Sequence, residues 1–119
     1  MFLFLNHQNL QVYKAAKEFT VECYNLSGHL PTDEKFGMVS QIRRAALSIT
    51  LNIAEGSSRR SAIERKRYYE IARGSMIEID AAFDIAEKLN YFEKFGITNL
   101  NKSINICFRL LSALICSCK

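Results

Sequence analysis

Proline occurs once in these 119 residues and glycine five times, too little turn-forming material for the many short strands of a sandwich or barrel. That scarcity predicts a few long elements. Long apolar runs are missing as well. The longest, Ile104–Cys116, is interrupted by Arg109 and falls short of the ~20 residues that span a bilayer, so no membrane partner is expected. Phe2–Leu5 is too short for the core of a secretory signal, and no small-residue cleavage site follows it. Without an export signal the expected location is cytoplasmic, where the four cysteines stay reduced.

Enzyme signatures are lacking too. His7 and His29 match no metal-ligand spacing. Gly56 and Gly74 follow no strand and belong to no phosphate-binding loop. Ser57, Ser58 and Ser61 read as turn and cap residues rather than nucleophiles. Cys116 and Cys118 would point about 200° apart on a helix, and Cys23, Cys107 and Cys118 fall on apolar stripes, the usual place of a buried thiol. No catalytic residue, cofactor or metal is predicted.

What is present is helical periodicity, in a single domain spanning residues 1–119. Val12, Ala16, Phe19, Cys23 and Leu26 form one seam of a helix from about Asn6 to Ser27, with Gly28 and Pro31 as stop signals. A second helix should begin near Thr32, with Asp33 and Glu34 in its first turn and Ile42, Ala46, Ile49 and Ile53 facing inward, its end marked by Gly56 and the serines after it. Ser61 and Glu64 have the spacing of a capping box, opening a third helix to about Asn90, roughly 30 residues or ~45 Å. Its core seam is Tyr69, Ala72, Met76, Ile79, Phe83 and Ala86. The fourth should start near Thr98 and carry Ile104, Cys107, Leu111, Leu114 and Cys118. Four such helices with short connections predict an all-α, antiparallel up-down four-helix bundle.

Two helices carry more apolar surface than one inward face uses. Ile71, Ser75, Glu78, Ala82, Ile85 and Leu89 form a second seam, read as roughly opposite the first, and Leu47, Leu51 and Ala54 project from helix two. Exposed stripes of this extent predict association with copies of the same chain. Between them runs a polar row, Gln41, Arg44, Ser48, Asn52 and Glu55. It reads as a hydrogen-bonded seam between subunits or a binding groove, and flanking Leu47 and Leu51 favour the seam. Arg44 and Glu55 are three turns apart and need partners on helix three or a neighbouring subunit.

The charge is uneven. Of a net +4, Arg43–Arg73 holds eight Arg/Lys and three Asp/Glu, leaving the rest slightly acidic. Arg43, Arg59, Arg60, Arg65, Lys66, Arg67 and Arg73 are the candidate phosphate contacts for RNA or DNA, with helix-terminal N–H groups beside them and Tyr68 placed to stack on a base. The alternative is a scaffold or accessory subunit that binds a protein partner through uncovered apolar seams.

These residues resemble the four-helix-bundle family of 23S rRNA-intervening-sequence proteins. The likeness runs through Pro31, Glu34, Phe36 and Gly37, then Gln41–Ala46, Ser48, Ile49 and Asn52–Gly56. It resumes at Arg60, Ser61, Glu64, Ile71, Ala72, Gly74, Ser75 and Glu78, then Ile85, Ala86 and Tyr91. Two departures stand out: Thr50-Leu51 replaces the family's Pro-Ser, and Arg65 replaces a phenylalanine. The resemblance implies a cytosolic homopentamer around a central axis and no enzymatic activity. It also implies kinship with the accessory protein of diversity-generating retroelements, which associates with a reverse transcriptase and nucleic acid.

Overall fold

The computed structural model describes residues 2–118, and all regular structure among them is helical. The four long helices are α1 (Gln11–Ser27), α2 (Met38–Ser57), α3 (Ala62–Lys88) and α4 (Thr98–Ser117). Single 3-10 turns at Asn6–Asn9 and Thr32–Glu34 precede the first two. Each helix packs on two others, α2 against α1 and α3, α4 against α1 and α3, with α2–α3 the most extensive pair and α3–α4 the least. Neighbours run antiparallel. Arg43 near the start of α2 reaches Ser27 at the end of α1, while Thr50 further along α2 meets Thr20.

The inward stripes are where the periodicity puts them. Phe19, Ile42, Ile49, Ile53, Met76, Ile79 and Leu111 are fully buried, as are Cys23 and Cys107. Phe83, Ile104 and Leu114 are half-buried at the edge of this core. Burial, with Glu22 and Cys107 nearby, raises the Cys23 thiol beyond its ordinary range. Burial alone pushes Cys107 up to about 12. Both thiols are therefore protonated and inert at neutral pH, whereas Cys116 is exposed.

Helix ends differ from expectation in instructive ways. α1 starts at Gln11 rather than Asn6, because Leu10 is extended (φ −72°, ψ 132°) and no side chain caps it. α2 starts at Met38 rather than Thr32, because Gly37 leaves the helical region at φ −110°, ψ −104°. Glu34 still serves that helix from outside, its Oε1 accepting the Met38 N–H at 3.4 Å. The Ser61 cap is as expected: its Oγ accepts the Glu64 N–H at 3.0 Å.

Gly28 ends α1 in right-handed geometry, φ −65°. The left-handed residue is Asn90, φ 64°, just past α3. There the Tyr91 N–H reaches back to the Ala86 carbonyl at 3.0 Å, the bond that closes a Schellman turn. Tyr91 then donates its hydroxyl to Glu34 Oε2 at 2.8 Å, tying the α3–α4 connection to the α1–α2 connection. That bond to the carboxylate, with partial burial, raises the Tyr91 phenol above its ordinary value.

α2 ends at Ser57, within the expected stretch, and Gly56 itself lies inside the last turn. It is a contact point. A Cβ there would lie 2.8 Å from Tyr69 Cε1 and 2.9 Å from Tyr68 Cβ. The Tyr69 ring is buried against this notch, with its hydroxyl 2.9 Å from Ser57 Oγ.

Candidate nucleic-acid interface

The α2–α3 junction spans residues 58–61, too short to separate the two helices, so residues from both ends converge. Glu55, in the last turn of α2, pairs with Arg59. This corrects the expectation that Glu55 needs a partner on helix three or another subunit: the partner lies four residues on. Arg59 Nη2 also donates to the Tyr68 hydroxyl at 3.0 Å, and the guanidinium lies 5.0 Å over the Tyr68 ring. The bond to Glu55, then the field of Tyr68, raises the Arg59 guanidinium further above its ordinary value. Tyr68 is therefore occupied as a cushion for Arg59, not free to stack on a base.

Arg65 works on the backbone. Its Nη1 donates to the carbonyls of Arg59 and Arg60, at 3.1 and 2.6 Å, clamping the junction. The side chains of Arg60, Lys66 and Arg67 form no hydrogen bond or ion pair with the described residues and project into solvent around the start of α3. Lys66 and Arg67 flank the open surface of Ile63, which is 84% exposed.

Two of the expected phosphate contacts are elsewhere. Arg43 is some 16 residues back on α2, ~24 Å along the helix. There its Nε donates to Ser27 Oγ at 2.8 Å, Nη2 to the Tyr24 carbonyl at 3.3 Å, and the guanidinium covers the Tyr24 ring. It thereby ties the start of α2 to the last turn of α1. Arg73 faces α4, 5.0 Å over Phe108. The predicted cationic set thus divides. Arg59 and Arg65 build the junction, Arg60, Lys66 and Arg67 are free at it, and Arg43 and Arg73 hold helices together away from it.

The polar row also resolves into parts. Asn52 Nδ2 donates to the carbonyl and hydroxyl oxygens of Ser48, at 2.8 and 3.0 Å, and Ser75 Oγ donates to Ser48 Oγ at 3.1 Å. Ser75 is buried. This corrects its placement on the outward seam: Ser48, Asn52 and Ser75 join α2 to α3 inside one chain. Gln41, Arg44 and Glu78 are exposed.

The remaining outward residues do face solvent, with Leu47, Leu51, Ile71, Ile85 and Leu89 between 43% and 57% exposed, while Ala82 is half-buried. At 100° per residue the α3 seam lies roughly a third of a turn from the core seam, on the flank beside α2, rather than opposite it. The two outward stripes therefore form the apolar edges of one band along the α2–α3 pair, with the polar row of α2, including exposed Gln41, Arg44 and Glu55, between them.

Among the described residues no three His, Cys, Asp or Glu side chains gather into a metal-holding group, and no helix is long and apolar enough to cross a membrane. The family described as 23S rRNA-intervening sequence protein matches residues 8–113. Comparison with curated proteins returns no match.

Proposed function

The chain belongs to the family of 23S rRNA-intervening sequence proteins, and from that premise we propose that it is a non-enzymatic nucleic-acid-binding protein, RNA its first ligand class, acting as a homo-oligomer of up-down four-helix bundles. One observation carries the reading. Among the described residues the side chains of Arg60, Lys66 and Arg67 have no partner, at a junction whose other cations, Arg59 and Arg65, are fixed by the chain itself. Unpaired surface cations on a rigid frame neutralise phosphates at little conformational cost, and the N–H groups of the first turn of α3 add to the field. The apolar band supports self-association, which repeats the cationic end and multiplies a weak contact. A ring of five is the assembly that the family resemblance brings.

Titration of a fluorescein-labelled single-stranded RNA across 50–300 mM salt tests this. Affinity should fall steeply with salt. Lys66→Glu with Arg67→Glu should weaken binding at least ~10-fold, while Arg43→Gln, at the other end of α2, should change it less than ~2-fold. Absent binding, or affinity indifferent to salt, overturns the reading.

A further inference from the structure

α3 and α4 are the least closely packed neighbours, and the space between them is a groove. Two cavities of about 320 and 360 Å³ share Asp80, Asn101 and Ile104 and so run into one another. Together they extend from Met76 and Phe108 to Glu87 and Phe92 near the end of α3, some 11 residues of helix or ~17 Å. The floor is apolar: Phe83, Ile104 and Phe108 are half-buried there and Leu100 is buried.

The α3 wall is acidic. Asp80, Asp84 and Glu87 line it at i, i+4 and i+7, all exposed and without an ion-pair partner among the described residues. The α4 wall offers the amides of Asn101 and Asn105. An apolar trough with carboxylates along one rim is a receptor for the complementary pattern. A phosphate chain is repelled by it, and an acidic or neutral apolar segment leaves three carboxylates facing it without a counter-charge.

We propose that this groove binds a basic amphipathic helix, about three turns of it in contact, from a protein partner. Lys or Arg of that helix, spaced i, i+4 and i+7, meet Asp80, Asp84 and Glu87, and its apolar stripe rests on Phe83, Ile104 and Phe108. The groove lies toward the end of α3 remote from Arg60, Lys66 and Arg67, so it can be filled without displacing nucleic acid. The inference goes beyond the nucleic-acid reading and stands without it.

The test uses the full chain and a labelled, amidated 14-residue Leu/Lys amphipathic peptide, with a Leu/Glu counterpart as control. The Leu/Lys peptide should bind once per chain although the protein itself is cationic, and the Leu/Glu peptide should not. Asp84→Lys with Glu87→Lys, both on an exposed face, should weaken binding at least ~10-fold with the thermal midpoint and RNA affinity kept. In the unchanged protein, amide shifts on peptide addition should centre on Asp80, Asn101 and Asn105. Binding that survives the charge reversal, or shifts centred elsewhere, overturns the proposal. So does a loss of assembly mass in the reversed variant, because the groove would then hold a second copy of the chain.

Discussion

At the residue scale, single atoms decide what composition leaves open. Gly56 shows it most plainly. As sequence it reads as a helix terminator, yet it sits inside α2, with two tyrosine side chains against its Cα. A methyl group at 2.8 Å from Tyr69 Cε1 has to move a buried ring whose hydroxyl is already committed to Ser57. Gly56→Ala should therefore destabilise the fold by about 1–3 kcal/mol through overpacking, despite the gain in helix propensity from alanine. Gly28→Ala, whose added methyl meets nothing closer than 3.5 Å, should be neutral or slightly stabilising. Urea unfolding of the two variants checks the contrast, and equal midpoints would refute the role given to Gly56. Arg59 teaches the same lesson in charge: as sequence it is one of a run, and in the structure it is spoken for by Glu55 and Tyr68.

At the scale of elements, existence was legible and function at the ends was not. Stripes spaced three and four predict all four helices and nearly every core residue, since a helix has only one way to bury Phe19 with Cys23, or Ile49 with Ile53. The Ser61 cap was equally readable. Starts of α1 and α2 were not, because Leu10 and Gly37 leave helical geometry without a composition signal that outweighs the periodicity behind them. Division of the cations was hidden as well, since which arginine meets Ser27 or Phe108 depends on packing between helices. The acidic spacing Asp80, Asp84, Glu87 was in plain sight, but its meaning needs the groove beside it.

Thr50 is the element-scale test. Its hydroxyl lies 3.0 Å from Thr20 Oγ1, whose single proton has two carbonyls in reach, Ala16 of its own helix at 2.8 Å and Ala46 at 3.0 Å, the latter the acceptor of the position-50 N–H in a regular helix. A hydroxyl from α1 can thus turn from Ala16 to the carbonyl that a proline would orphan. Thr50→Pro, the residue of the family pattern, should cost about 1–2 kcal/mol, below the ~3 kcal/mol or more of an interior proline. Thr20→Val should become distinctly more harmful in that background, with a coupling near 1 kcal/mol in a double-mutant cycle. Strict additivity would show that Thr20 does not support the site.

At the scale of the whole molecule, extents of 44 × 29 × 24 Å hold three surfaces with different chemistry. Free cations occupy the α2–α3 junction, carboxylates line the groove toward the far end, and the apolar band runs lengthwise between. In the proposed self-association through that band, the relative direction of the copies determines whether cationic ends add together. Side by side in the same direction, as in a ring, like ends adjoin and repel, so salt should tighten the assembly and bound nucleic acid should tighten it further. Antiparallel pairing sets each cationic end beside an acidic one, and salt should loosen it. Sedimentation at 50 and 500 mM salt separates the two. The expected result is an assembly well above the 13.6 kDa chain, unchanged or heavier at high salt. Leu51→Glu with Ile71→Glu, on exposed positions of the band, should return it to the monomer with helicity intact, and RNA affinity should drop with the loss of multivalency. A mass that falls with salt would point to antiparallel pairs, in which the cationic ends face opposite ways and cannot act on one strand together.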